Sequence, residues 1–316
     1  MLFYHGNHLK TFAFSFSRRL GTTTRSSIEK RCLLAATTRY TIQTPPIDKS
    51  ELQDRVHKGL INFDRYLTSR PVAAHTREAF EQFLAELAPT KGAPSTPLIL
   101  DSGCGTGRSS LLLGEKYPDC LVVGVDRSID RLGRNARDLS SNPEQKVVNP
   151  ETEEDDSDRQ HVQQVSKNVI LVRAELVHFW RLWRQHGLVA EQHYLLYPNP
   201  YPKKSRLKQR WYAHPSFPLL LLVSDGHPLI LRSNWKQYLQ EFADAIVACA
   251  SFDCNENSNN DSFLATQVAQ MYLASAKEGP TPRTPGEAGT NFEQKYDNIG
   301  ESTYELSLQG KVHDGN

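Results

Sequence analysis

Long apolar runs are missing from this 316-residue chain. The run Leu219–Val223 is five residues long, and nothing approaches the roughly 20 residues that span a bilayer. That excludes a membrane-spanning helix, and no membrane partner is expected. Cysteine is scarce: Cys32, Cys104, Cys120, Cys249 and Cys254 are an odd, widely spaced set without a C-x-x-C pair. A disulfide framework and a cysteine zinc site are therefore not expected, and a reducing compartment fits better. The 11 histidines show no H-x-x-x-H spacing, so no metal is expected in the chemistry. An excess of one charge is also lacking, with 37 Lys and Arg against 36 Asp and Glu. The totals argue against a wholesale polyanion binder, but they hide segments of opposite sign.

Residues 1–47 carry seven Lys or Arg against the single acid Glu29, with many Ser and Thr. An apolar-aromatic start precedes Arg18 and Arg19. This is the composition of a transit peptide, so a mitochondrial or plastid address is expected, with the cytoplasm as the alternative. A helical segment is expected over 48–92, broken at Pro71. The main domain is expected over 93–275, followed by a linker and closing segment over 276–312. Within the main domain, residues 139–166 are polar and include the acidic run 151–158; they read as a solvated insertion. Residues 253–262 read as a second polar loop.

Short apolar runs end in polar residues at Leu98–Asp101, Leu121–Asp126, Val169–Arg173, His193–Tyr197 and Leu229–Ser233. Helical stretches lie between most of them, as at Arg108–Tyr117, Arg127–Leu139 and Trp235–Ala250. Alternation of this kind predicts an α/β fold with a doubly wound, mostly parallel sheet. Gln267–Leu273 and Tyr304–Leu308 are expected to close it as an antiparallel edge pair. Trp180 and Trp183, three apart, are expected in the core.

The first strand runs into D-x-G-x-G-x-G, from Asp101 through Gly103, Cys104 and Gly105 to Gly107, and a helix follows. Glycines let the backbone turn sharply and let a ligand approach closely. A carboxylate at Asp101 is poorly placed for a phosphate but suits a cationic amino-acid moiety. Asp126, ending the second strand 25 residues on, can accept ribose hydroxyls. Together they point to a nucleoside carrying an amino acid, S-adenosyl-L-methionine. Cys104 reads as a small apolar spacer. Glu175, after the third strand, either accepts from an adenine amino group or caps a helix.

The fourth strand ends in Tyr197-Pro-Asn199-Pro-Tyr201-Pro-Lys203. In such folds ligands sit outside the strand ends, so Asn199 faces the transferable group, restrained by Pro198 and Pro200. The run Lys203-Lys-Ser-Arg206-Leu-Lys208-Gln-Arg210 has five basic residues and no acid, with Trp211 and Tyr212 next. Lys203, Lys208 and Arg210 are expected to meet an RNA backbone.

The glycine motif with Asp126 resembles the class I S-adenosylmethionine-dependent methyltransferases, with their Rossmann-like fold. The segment from Pro198 to Lys203 and its basic run is similar, more narrowly, to the bacterial-type tRNA (guanine-N7)-methyltransferases. So are Asn234-Trp-Lys-Gln-Tyr238 and Thr290-Asn-Phe292-Glu293. The resemblance covers about residues 97–308. It implies cofactor contacts at Asp101, Asp126, Glu175 and Asn199, and substrate contacts at Lys203, Asn234, Thr290 and Glu293. Its implied activity is methyl transfer to a guanine N7 in the variable loop of tRNA, with Asn199 and Asn234 holding the base edge. Both stand where that family has Asp, and an amide cannot replace a carboxylate acceptor like for like. A protein or small-molecule acceptor, and a non-catalytic RNA-binding relative, therefore stay open. The residues name no protein partner subunit.

Overall fold

The computed structural model describes residues 46–87, 96–132, 161–253, 261–286 and 289–310. The transit-peptide reading (all but its last two residues), the acidic run 151–158, most of the 253–262 loop and residues 133–139 of the expected Arg127–Leu139 helix lie outside these; the start of that segment, residues 127–132, is a turn rather than a helix. Among the described residues, the elements run α1 (Lys49–Ile61), α2 (Phe63–Thr68), α3 (Ala74–Leu87), β1 (Leu98–Ser102), α4 (Arg108–Lys116) and β2 (Leu121–Asp126). There follow β3 (Val162–Ser166), β4 (Val169–Arg173), α5 (Leu176–Gln185), β5 (Gln192–Leu196), two 3₁₀ turns (Lys204–Gln209, Trp211–Ala213), α6 (Phe217–Ser224) and β6 (Leu229–Ser233). The chain closes with α7 (Lys236–Ala250), α8 (Asp261–Met271), α9 (Leu273–Glu278), β7 (Thr281–Pro282), α10 (Asn291–Ile299) and β8 (Tyr304–Leu308).

The eight strands form one sheet in the order β3-β4-β2-β1-β5-β6-β8-β7. The five inner strands from β4 to β6 are parallel, and all five expected runs are among them. β1 is buried at every residue, which is why it reads as a continuous apolar run rather than an alternating one. Antiparallel strands flank this core: β3 on β4 at one edge, β8 on β6 and β7 on β8 at the other.

Two expectations are corrected here. The polar insertion over 139–166 ends earlier, because Val162–Ser166 pairs with β4 as an edge strand. Polar residues are acceptable there since one face meets water. Gln267–Leu273 is not a strand. Its apolar residues belong to a 3.6 period, and Ala265, Val268, Ala269 and Tyr272 are all buried on one side of α8 and its end. β6 and β7, not this segment, pair with β8.

Most helices cover one face of the sheet. α6 is buried at all eight positions, so a helix apolar all round sits in the middle of this layer. α1 packs on α7, and α3 packs on α5, where Phe80 and Phe83 meet Phe179 and Trp183 with ring centroids 5.1–6.0 Å apart. Trp180 and Trp183 are fully buried, as their spacing implied. No helix among the described residues is long and apolar enough to cross a membrane.

Candidate active site at the carboxyl edge of the sheet

Parallel neighbours end at the same edge, so strand order decides which loops meet. Along that edge stand Glu175 after β4, Asp126 at β2, the Gly103–Gly107 loop after β1, Asn199 after β5 and Asn234 after β6. The acids expected to hold a cofactor lie on one side of the glycine loop, or at its root. The amides expected to hold an acceptor lie on the other. Sequence order gives no hint of this division.

The loop is built on β2. Gly103 N and Cys104 N donate to Val125 O at 2.8 and 3.1 Å, and Gly105 N donates to Asp126 Oδ2 at 3.0 Å. Gly103, Gly105 and Gly107 have φ of 78°, 61° and 81°, a region costly for other residues. A Cβ at Gly103 or Gly105 would meet nothing within 4 Å, so the loop borders open space. At Gly107 it would lie 2.7 Å from Leu171 Cδ1, so this glycine serves the packing of α4 on the sheet instead. Cys104 is buried, and burial pushes its thiol well up, in keeping with a spacer rather than a nucleophile.

Asp101 is 1 % exposed. Its Oδ2 accepts from Ser109 Oγ at 2.6 Å and Ser110 Oγ at 2.7 Å, while Oδ1 is buried with no hydrogen-bond partner. Burial pushes this carboxyl up to about 6, against the two hydroxyl bonds that lower it. The sequence reading missed these serines, although hydroxyls eight and nine residues after Asp101 on a helix start were a visible signal.

Asp126 is also buried, and protein groups already use both of its oxygens. Besides Gly105 N on Oδ2, Ser128 N at 2.8 Å and Arg131 Nη2 at 3.0 Å donate to Oδ1. A carboxylate has about four lone-pair positions, so Oδ2 keeps one for a ribose hydroxyl. Accepting at both oxygens requires the half-exposed Arg131 to move aside. The orphaned Asp101 oxygen, the open space beside Gly103 and Gly105, and Asp126 at the adjacent strand end together fit S-adenosyl-L-methionine. Glu175 sits at the N-cap of α5, its Oε2 accepting from His178 N at 2.9 Å.

On the acceptor side, Asn199 is exposed and its Oδ1 accepts from Tyr201 N at 3.1 Å. Tyr197 and Tyr201 on either side have φ of 51° and 43°, strain of the kind that gathers at functional loops. Asn234 Nδ2 donates to Glu301 Oε1 at 3.1 Å. Thr290 and Glu293 form a capping box at the start of α10. Glu293 is fully buried and pairs with Arg232 at 3.2 Å and Arg283 at 3.3 Å. It anchors α10 to β6 rather than facing a substrate, and Arg232 and Arg283 are structural partners that sequence reasoning did not pick out. Asn291 Nδ2 donates to Thr106 Oγ1 at 3.3 Å, tying α10 to the glycine loop.

Lys203, just before the first 3₁₀ turn, and Lys204, Arg206 and Lys208 on it are exposed. Arg210 is not part of this surface. Its side chain is 2 % exposed and pairs with Glu241 at 2.9 Å, so it cannot serve as the phosphate contact expected of it. Leu207 and Tyr212, buried on either side of it, turn this stretch inward.

The model of the family Methyltransf_4, described as "Putative methyltransferase", matches residues 95–306. A malonyl-[acyl-carrier protein] O-methyltransferase of Herminiimonas arsenicoxydans is 35 % identical over 98 residues, 31 % of this chain and 34 % of that protein. A trans-aconitate 2-methyltransferase of Rhodopseudomonas palustris (strain HaA2) is 48 % identical over 50 residues, 16 % and 18 % of the two chains. The chain thus spans about a third or less of the curated relatives it matches. Among solved structures, an antibiotic-related methyltransferase aligns with TM-score 0.38 at 11 % identity, covering 76 % of this chain and 96 % of that one. A 16S rRNA (adenine(1408)-N(1))-methyltransferase variant from Catenulisporales acidiphilia, with its cosubstrate, aligns with TM-score 0.37 at 15 % identity, covering 75 % and 93 %.

Proposed function

The chain belongs to the Methyltransf_4 methyltransferase family, that of the tRNA guanine-N7 methyltransferases, and from that premise we propose that it methylates N7 of a guanine in tRNA. The family's cofactor is S-adenosyl-L-methionine. The observation that carries the reading is the order of loops along the carboxyl edge. Acids and the glycine loop stand together, Asn199 and Asn234 follow, and the exposed Lys203–Lys208 run begins four residues after Asn199.

When bound, the cofactor supplies a methyl group on a sulfonium. Guanine N7 has an in-plane lone pair and no proton to lose, so the chain need supply no general base. What its residues must provide is proximity and alignment. Asp101 would hold the amino group at Oδ1, Asp126 a ribose hydroxyl at Oδ2, and Glu175 the adenine side. Asn199 and Asn234 would hold the base edge. Lys203, Lys204, Arg206 and Lys208 would carry the RNA backbone. Because no carboxylate has to remove a proton, Asn in place of the family's Asp is compatible with this chemistry.

The test is to incubate the purified protein with methyl-labelled donor and tRNA, organellar tRNA first given residues 1–47, and to map the product. Label at guanine N7 is expected. Label confined to protein or small molecules would overturn the proposal. The same two asparagines favour a second reading, a protein or small-molecule acceptor, which that second result would support.

A further inference from the structure

Four large hydrophobic side chains are exposed among the described residues: Ile61, Val189, Phe292 and Ile299. A lone exposed apolar residue is ordinary. Phe292 differs from the others in its setting. It is aromatic, 53 % exposed, and held in place from several directions. Its ring stacks on Tyr197 with centroids 5.8 Å apart and planes 16° apart. Tyr296, one turn on along α10, lies 6.4 Å from Phe292 with planes 25° apart, and 5.9 Å from Tyr197 with planes tilted by 32°. Residues four apart share a helix face, so Phe292 and Tyr296 meet Tyr197 together. The residue beside Phe292, Glu293, is turned fully inward onto Arg232 and Arg283, which fixes the rotation of the helix.

The place of this ring cluster is as telling as its order. Tyr197 directly follows β5 in a strained conformation, two residues before Asn199. Asn291, the residue preceding Phe292, bonds Thr106 of the glycine loop. The cluster therefore stands beside β1 on the β5 side, whereas Asp126 and Glu175 stand on the β2 and β4 side. A ring there is on the acceptor's side of the loop and away from the ribose acid. Aromatic faces bind nucleobases by stacking, and a preformed rigid ring loses little entropy in doing so.

We propose that Phe292, backed by Tyr197 and Tyr296, is the stacking platform for the acceptor nucleobase. This rests on the RNA methyltransferase reading above. It adds the surface that would clamp the face of the base whose edge Asn199 and Asn234 would hold.

The test uses the full chain and the variants Phe292→Leu, which keeps apolar bulk without a flat π face, and Phe292→Trp, which keeps the face. Methyl transfer to total tRNA is measured for each. Affinity for S-adenosylhomocysteine is measured by calorimetry, and ultraviolet cross-links to tRNA are mapped by mass spectrometry. The expected result is that Phe292→Leu loses about 10- to 100-fold in kcat/KM for tRNA while cofactor affinity stays within about twofold. Phe292→Trp should retain most activity, and the wild-type cross-link should map to Phe292. An active Phe292→Leu variant overturns the platform. So does a parallel loss of cofactor affinity, which would assign the ring to the cofactor or to the fold. If the wild type methylates no RNA, the functional reading fails, and the cross-link decides the platform separately: no adduct at Phe292 rejects it.

Discussion

The guanidinium of Arg210 donates to the Glu241 carboxylate at 2.9 Å, with both side chains 2 % exposed. It also donates to Tyr212 Oη at 2.8 Å, and Tyr212 in turn donates to Glu241. Glu241 Oε1 accepts from Ile47 N at 3.0 Å, so one buried network joins α7, the basic turn and the start of α1.

Removing one partner leaves the other charge buried and unpaired. Arg210→Ala should therefore destabilise the fold by about 3–5 kcal/mol and lower Tm by about 10 °C in a thermal melt. An unchanged melt would show that the pair contributes nothing to the fold.

Lys204→Glu with Lys208→Glu should leave Tm unchanged, because both side chains are exposed. Affinity for tRNA should fall at least about tenfold at low salt, and the slope of log Kd against log salt should shrink by about one per lost phosphate contact. A salt titration monitored by fluorescence anisotropy reads both. Equal affinity for wild type and variant would remove this turn from the RNA surface.

The glycines of the loop should separate binding from packing. Gly105→Ala places a side chain at φ 61° in open space, so it should cost about 1–2 kcal/mol of strain and also obstruct the cofactor. Gly107→Ala adds a clash with Leu171 at 2.7 Å and should melt lower than Gly105→Ala. Paired melts and S-adenosylhomocysteine calorimetry test the difference, and the reverse order of melting would contradict it.

Burial holds the Asp101 carboxyl up at about 6, so near that pH it is about half protonated. An ammonium group at Oδ1 favours the carboxylate and lowers this value. Cofactor binding at pH 6 should then release up to about half a proton, and almost none at pH 8. Calorimetry in two buffers of different ionisation enthalpy measures this directly. Absence of release at pH 6 would exclude Asp101 as the ammonium's partner.

His193 is fully buried, bonded to Ser102 Oγ and Ser224 Oγ at 2.8 Å each, and burial pushes its imidazole down to about 3. A depressed value means that the native state resists protonation. The stability it contributes is complete above the ordinary 6.5 and is lost as pH falls toward 3, about 3 kcal/mol by pH 4. Asp101 acts with the opposite sign, since its raised value contributes stability that is lost as pH rises through 6. Comparing His193→Gln with wild type cancels that second effect. The variant should be less stable at pH 7 but lose less between pH 7 and 4 in urea titrations. Equal losses in both proteins would contradict the assignment.

Local chemistry alone determined much of this protein. Each inner strand is buried on both faces and so shows as a short apolar run. The glycine turn is legible because its three positive φ angles demand glycine at fixed spacing. Side-by-side order along the edge was decided by tertiary structure, since β1 lies between β2 and β5 through crossovers that sequence distance does not encode. The same holds for Arg210, which reads as one more basic residue in a charged run until Glu241, 31 residues on, is folded against it. It holds too for Gln267–Leu273, whose apolar pattern is too short to separate strand from helix until α6 and α7 supply a helical surface to pack on. Spacing reports what a segment needs locally; only packing fixes which charges are desolvated and which loops meet.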